Sequence, residues 1–284
     1  MGLDAHVMCD CFRKGKTTPP PFPREWLEVD EEGYFNLAQE HDSAEGWAKL
    51  MEWQHSCCDH EDMDFACEFI ANWFGLRLFQ DALGDVGWDR FPILQEQLPE
   101  ANGGLTPPGA SGRALRELEE FESVGEIGTK TVLVDTATGE AFHQHNPAYG
   151  GVFILQGSLG VNVGIGEFEF FAVDARTGEE LFRATRVEQA RRGGSPIEGD
   201  ADDVVWKDLD TGEVYASGIA ISGKAIPWDD GKWQRPDGRV RFGYPARFHV
   251  ERRPRLTSEF ESIVRALRVV FSASVATGNP VRWS

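Results

Sequence analysis

Positive charge is what this chain has least of. Its 284 residues carry 28 Lys and Arg against 47 Asp and Glu, a formal net charge of −19. Affinity for nucleic acid phosphates comes from cationic side chains, so this balance disfavours nucleic acid and favours a basic partner. The deficit is steepest between residues 25 and 70, which hold fourteen acids, one lysine and no arginine, a net of −13. Long apolar runs are also missing. The longest uncharged stretch, Ala141–Gly166, contains Asn146, Pro147, Asn162 and several glycines, which argues against a membrane span. Met1-Gly2-Leu3-Asp4 begins neither a basic nor an apolar leader, and His6 stands where a myristoylation motif needs Ser or Thr. The expected location is the cytoplasm, with no membrane association.

Catalytic signatures are equally scarce. Gly157-Ser158-Leu159-Gly160 lacks the spacing of a nucleophile elbow. The glycines from Gly157 to Gly166 do not match a dinucleotide fingerprint, and no phosphate-binding loop occurs. Asp208, Asp210, Asp229 and Asp230 lie in turn sequences, where aspartate has a structural use. His143-Gln144-His145 would place two imidazoles on one strand face, as in cupin metal sites. No carboxylate follows between Asn146 and Gly151, however, so ordinary strand histidines are expected. Arg239, Arg241, Arg247, Arg252, Arg253 and Arg255 interleave with Phe242, Tyr244 and Phe248 like a small nucleic-acid strip. Given the net charge, pairing with the acidic N-terminal half, or an anionic contact, is expected instead.

What is present is a core and a cluster. The hydrophobic share is 41%, with nine Trp and 19 Phe, enough for a sizeable interior. Five cysteines without an export signal imply a reducing compartment, where clustered thiols bind metal or react more often than they form disulfides. Cys9 and Cys11 form one short segment, and His55-Ser56-Cys57-Cys58-Asp59-His60 the other. A structural zinc site wants four thiolate or imidazole donors, and Cys9, Cys11, Cys58 and His60 supply such a set. Cys57, His55 and Cys67 are spare candidates. The alternative is a set of reduced cysteines packed as small apolar groups. No Lys or Arg flanks Cys57 or Cys58, and acidic surroundings blunt a thiol nucleophile.

The opening Met1-Gly2-Leu3-Asp4-Ala5, running into Cys9-Asp10-Cys11-Phe12, resembles a group of bacterial proteins that begin with nearly the same residues and have no established activity. Members carry a later Cys-x-His, then an acidic residue and a helix with an Asn, which here correspond to Cys58, His60, Glu61 and Asn72. A His often stands in that group where Cys67 stands here. The resemblance covers about the first hundred residues. It implies a metal site and a bacterial origin but no reaction. The extra Cys57 and the long β-rich remainder depart from the pattern.

The pattern predicts an α+β fold: a helix-rich mixed part over 1–124, then a mostly antiparallel β part over 125–284 with a C-terminal helix packed on it. Leu3–Phe12 reads as a strand with Cys9 and Cys11 on one face. Trp26–Phe35 reads as a hairpin turning at Asp30–Gly33. Asp42 with Glu45 reads as a capping box for a helix bearing Trp47, Leu50, Met51 and Gln54 on one side. A helix buried almost all round is expected from Glu61 through Phe79, a shorter one over Phe91–Leu98, a loop over Ala101–Gly112 and a helix over Arg113–Ser123. Three Asp-x-x-Thr-Gly-Glu sequences, starting at Asp135, Asp174 and Asp208, predict three independent hairpins. Val161, Val163 and Ile165 alternate in continuation of Leu159, and the phase flips after Gly166 to Phe168, Phe170 and Ala172, which predicts a turn or bulge there. Ser258 with Glu261 reads as the cap of a last helix, with Phe260, Ile263, Val264, Leu267, Val270 and Phe271 on its core face.

The function expected is that of a cytosolic binding protein whose acidic face engages a basic protein, in its concrete form a toxin-neutralising immunity protein. The rival readings are a metal-dependent hydrolase, which needs an open coordination position, and a structural or assembly module.

Overall fold

The computed structural model describes residues 2–30, 34–156, 160–197 and 202–284. The expected turn at Glu31–Gly33 and the segment Gly157–Leu159 lie outside the described residues. The chain divides into two compact units, residues 1–127 with 256–284, and residues 128–255.

The first unit begins with β1 (Gly2–Met8), the hairpin β2 (Leu27–Val29) and β3 (Phe35–Leu37), and α1 (Ala44–Ser56). It continues with β4 (Asp64–Asn72), α2 (Trp73–Val86), α3 (Pro92–Gln97), β5 (Leu105–Thr106) and α4 (Pro108–Val124). The chain then builds the second unit from β6 (Glu126–Asp135), β7 (Ala141–Gln144), β8 (Val152–Gln156), β9 (Val161–Ile165), β10 (Phe170–Asp174) and β11 (Glu180–Ala184). There follow β12 (Arg186–Arg191), β13 (Val204–Asp208), β14 (Val214–Tyr215), β15 (Ala225–Ile226), β16 (Arg241–Phe242) and β17 (Arg247–Leu256). It returns to the first unit as α5 (Glu261–Thr277) and β18 (Val281–Trp283). The mixed α+β class is as expected.

The sheet of the first unit has the order β4-β1-β18-β5, with antiparallel neighbours. Alternation along β1 sends Leu3, Ala5 and Val7 inward, where they join Ile70 and Ala71 against Leu76 and Phe79 of α2, Leu118 and Phe121 of α4, and Val264, Leu267 and Phe271 of α5. The outer face keeps Asp4, His6, Cys67 and Phe69. A separate small core holds Met8, Cys9, Cys11, Phe35, Leu37, Leu50, Trp53, Cys57 and Met63.

Several expectations are corrected. The helix predicted from Glu61 to Phe79 is a strand followed by a helix. Residues 65–79 are apolar enough to satisfy either period, and pairing with β1 decides for strand over Asp64–Asn72. Asn72 then accepts the Gly75 N–H at 2.7 Å and starts α2. Ser43, not Asp42, caps α1 by accepting the Gly46 N–H at 3.1 Å, and Asp42 takes the Trp47 indole N–H instead. The buried side of α1 is accordingly Leu50, Trp53 and Gln54, with Trp47 and Met51 outside. Helix α4 begins at Pro108, whose fixed φ suits a first turn, so half of the expected loop is helical. Glu259 accepts the Leu256 N–H at 3.0 Å ahead of a short 3-10 turn (Thr257–Phe260), where Ser258 and Glu261 were expected to form the cap. Helix α5 ends as expected at Gly278, left-handed at φ +70°. It packs within the first unit, against β4, β1 and α4, rather than on the β part.

The second unit has sheets β11-β10-β9-β8 and β14-β13-β12-β17-β6-β7 and a short pair β15-β16. Its three Asp…Gly turns form as expected. Gly139, Gly178 and Gly212 take φ of +73°, +72° and +81°. Their N–H groups donate to the carbonyls of Asp135, Asp174 and Asp208. The phase flip after Gly166 is the turn between β9 and β10. Trp206, Phe170, Phe182 and Phe248 fill the core with edge-on and tilted ring contacts. Four of the six arginines pair with acids of this unit, not with the N-terminal acids that were expected: Arg239 with Asp237, Arg241 with Asp229, Arg247 with Glu188 and Arg253 with Glu251. Among the described residues no helix is long and apolar enough to cross a membrane.

One buried carboxylate has a clear structural use. Helix α3 starts at Pro92 without a side-chain cap from its own segment, and Glu117 of α4 accepts the N–H groups of Ile93 at 3.0 Å and Leu94 at 2.8 Å. Glu117→Ala leaves both donors buried and unpaired, so a loss of about 2 kcal/mol is expected. A lowered denaturation midpoint checks this, and an unchanged midpoint rules it out.

Candidate metal centre

The structure brings together Cys9, Cys11, Cys58 and His60, the set that the sequence singled out. Their four donor atoms all lie within 4.8 Å of one another. Such a cluster could hold a metal ion. The Sγ atoms of Cys9 and Cys58 are 3.8 Å apart, and His60 Nδ1 lies 3.4 Å from Cys11 Sγ and 3.9 Å from Cys58 Sγ. A disulfide would need about 2.05 Å between sulfurs, and all five cysteines are free thiols.

The local chain explains how these donors meet. Strand β1 stops at Met8, so Cys9 and Cys11 lie in the turn after it, not on a strand as expected. That turn is closed by the Asp10–Lys14 ion pair at 2.6 Å, and Lys14 holds the Asp10 carboxyl below its usual range. Asn279 donates its Nδ2 hydrogens to the carbonyls of Met8 and Cys9 at 2.7 and 3.0 Å. The residues just after α5 therefore fix the backbone at Cys9. Cys58 and His60 lie in the connection from α1 to β4. Here Asp62 and Met63 have φ of +53° and +60°, a region that disfavours residues with a Cβ. Each such residue costs on the order of 1–3 kcal/mol, and the surroundings must hold it. Met63 is fully buried, and its carbonyl accepts the Cys9 N–H at 2.7 Å. The strained turn and Cys9 thus constrain each other.

Electrostatics set the resting state of the thiols. Cys9 and Cys11 are buried at 5% and 7% exposure, while Cys58 and His60 are half-buried. Burial pushes the Cys9 thiol well up, with neighbouring Cys58 adding to the effect, and it also raises Cys11. These thiols are protonated at neutral pH and poor nucleophiles on their own. A bound cation reverses the balance, because it replaces the protons and compensates the crowded thiolate charge.

The spare candidates fall elsewhere. Cys57 is 2% exposed in the small core, and burial, then Cys58, push its thiol up to about 12. His55 is exposed and pairs with Asp62 at 2.9 Å, which raises its pKa. Cys67 lies on the outer face of β4 with His6 and Asp64 as neighbours, a grouping the sequence reading missed. The helix expected over this segment hid the alternation along β4 that would have put Cys67 on an outer face.

The histidine pair in the second unit joins no ligand group among the described residues. His145 Nδ1 hydrogen-bonds the Ile165 carbonyl. His143 stacks on Phe153 with ring centroids 4.2 Å apart and its Nε2 out of solvent. Comparisons with protein-family models, with curated proteins and with solved structures returned no match.

Burial lowers the His143 pKa from 6.5 to about 4, against a smaller opposing effect of a hydrogen bond with the Ser222 backbone. Its folded form is therefore harder to protonate than its unfolded form. The neutral ring costs nothing above pH 6.5, and stability is lost as pH falls from 6.5 towards 4. The linked loss is about 3 kcal/mol. His143→Phe is expected to remove that part of the acid destabilisation, read as a shallower fall of thermal midpoint with pH than in the parent. Parallel pH profiles rule this out.

Proposed function

We propose that this protein is a binding protein whose first unit is held in shape by one structural zinc ion on Cys9, Cys11, Cys58 and His60. The observation that carries the metal assignment is the donor spacing. Around tetrahedral zinc, with Zn–S near 2.3 Å and Zn–N near 2.05 Å, two sulfurs stand about 3.8 Å apart and a sulfur and a nitrogen about 3.5 Å. The distances between Cys9 and Cys58 (3.8 Å) and between Cys11 and His60 (3.4 Å) lie close to those edges, and that between Cys58 and His60 (3.9 Å) is about 0.4 Å longer. Three thiolates and an imidazole favour zinc over magnesium or calcium, which prefer oxygen. Four protein donors fill the tetrahedron and leave no place for a reacting water. The ion is a clasp between the end of β1 and the α1–β4 connection, not the centre of a hydrolase.

The binding role rests on charge and surface. Glu25, Glu28, Asp30, Glu40, Asp42, Glu45, Glu52, Asp59, Glu61 and Asp62 are exposed. Among these acids the outer side of α1 shows Trp47 and Met51, and Tyr34 is also exposed. Large apolar groups set in a field of one sign suit recognition of a basic protein, with the charge speeding encounter. An immunity protein that neutralises a cationic toxin is the concrete form of this reading.

Two outcomes are expected. The purified chain retains one zinc per molecule through brief chelation and gel filtration, and Cys58→Ser loses it with a marked drop in thermal midpoint. Metal binding contributes up to on the order of 10 kcal/mol to folding in zinc-dependent domains. A metal-free parent of normal stability would sink the clasp. Separately, a basic protein encoded beside this one is expected to co-purify at low salt and be released as salt rises. Salt-insensitive binding, or no partner, counts against the acidic face.

A further inference from the structure

The first unit carries a second group of donors on the outer face of its sheet, apart from the cysteine-rich one. Pairing of β1 with β4 sets His6 opposite Cys67. Asp64 is three residues from Cys67, which on a regular strand would send it to the other face. Between Val7 and Met8 the register shifts: Val7 stands opposite Ala66, but Met8 stands opposite Asp64. The extra residue, Phe65, is a bulge in β4, and bulges redirect the side chains beside them. As a result the donor atoms of His6, Asp64 and Cys67 lie within 4.8 Å of one another, with His6 Nδ1 3.4 Å from Asp64 Oδ2.

We propose that His6, Asp64 and Cys67 bind a divalent transition-metal ion and leave one coordination position open. One imidazole, one carboxylate and one thiolate are three donors of the types zinc accepts, the number found in sites that keep a water or substrate as fourth ligand. The thiolate argues against magnesium and calcium. Cys67 is exposed, so solvent reaches the ion. Burial and then the negative charges of Asp64, Asp4 and Glu68 raise the Cys67 thiol, and a cation is what that field favours.

His6 and Asp64 also line a cleft of about 460 Å³, beside Trp47, Met51 and Arg282. The Arg282 guanidinium lies 3.9 Å from Asp64 Oδ1 and 3.4 Å from the centre of the Tyr34 ring. A cation on the cleft wall next to a metal selects small anionic donors for the fourth position, such as a carboxylate or hydroxide. The two sites differ in kind. The Cys9 site is closed and holds its ion; the His6 site is open and exchanges it.

The test is a cobalt titration of the protein carrying one zinc per molecule after brief chelation, so that only the Cys9 site is filled and cobalt does not displace its tighter-bound zinc. The parent is expected to take up one equivalent of cobalt with absorbance from a single thiolate ligand and no zinc release. Azide then shifts that spectrum by entering the open position. Cys67→Ser changes an exposed side chain, and it is expected to abolish the thiolate band while zinc content and thermal midpoint stay unchanged. Asp64→Asn, a second variant at another ligand, is expected to weaken cobalt uptake at least tenfold. No cobalt uptake, uptake only with zinc release, or an unaltered spectrum in Cys67→Ser overturns the site. A spectrum indifferent to azide overturns the open position.

Discussion

Antiparallel pairing of β1 with β4 is the constraint on which the chemistry of the first unit depends. These strands are some sixty residues apart in sequence, and their register sets both groups of candidate metal donors. At one end it delivers Cys9 and Cys11 to Cys58 and His60. Along the outer face it sets His6 against Cys67, and one bulge adds Asp64. The pairing is held from the far end of the chain, because β18 lies beside β1 and Asn279 holds the carbonyls of Met8 and Cys9. A change in that register by one residue would turn every outward donor of β1 into the core.

What was legible in the sequence follows from how local each feature is. The four residues of the thiol cluster could be named because ligand chemistry is a property of residue type, and only a few thiols and imidazoles were on offer. The three Asp…Gly turns could be read because four or five residues determine them. The strand β4 could not, since Phe65, Phe69, Ile70, Trp73, Leu76 and Phe79 fit a helix as well as a strand followed by a helix. Only the partner strand decided between them. β18 was hidden for a related reason: three residues after a helix stop carry no period, and Val281–Trp283 becomes a strand only because β1 and β5 leave a place for it. The cluster of His6, Asp64 and Cys67 depends on a bulge, which no single-sequence pattern marks.

The position of the acids also takes on meaning from the fold. In sequence, the run from 25 to 70 is simply negative. In the structure, its exposed carboxylates share the first unit with the thiol cluster, and the unit's own lysines and arginines do not cancel them. The arginines of the second unit are matched by acids a few residues or one strand away. Charge is thus nearly balanced within the second unit and left strongly negative in the first.

The order of the segments has a consequence for biosynthesis. The second unit is spliced into the first between Ile127 and Leu256, so residues 1–127 leave the ribosome long before α5 and β18 exist. Until then the inner face of β1, β4, α2 and α4 lacks the helix that covers it. A nascent chain in that condition exposes Leu3, Val7, Leu118 and Phe121 to water, while the inserted β unit, with its local hairpins, has all its residues available earlier. The thiol cluster lies wholly within the first sixty residues. An ion captured there would tether the two ends of the early segment while it waits for its last strand, and so act as a folding aid during synthesis as well as a brace afterwards.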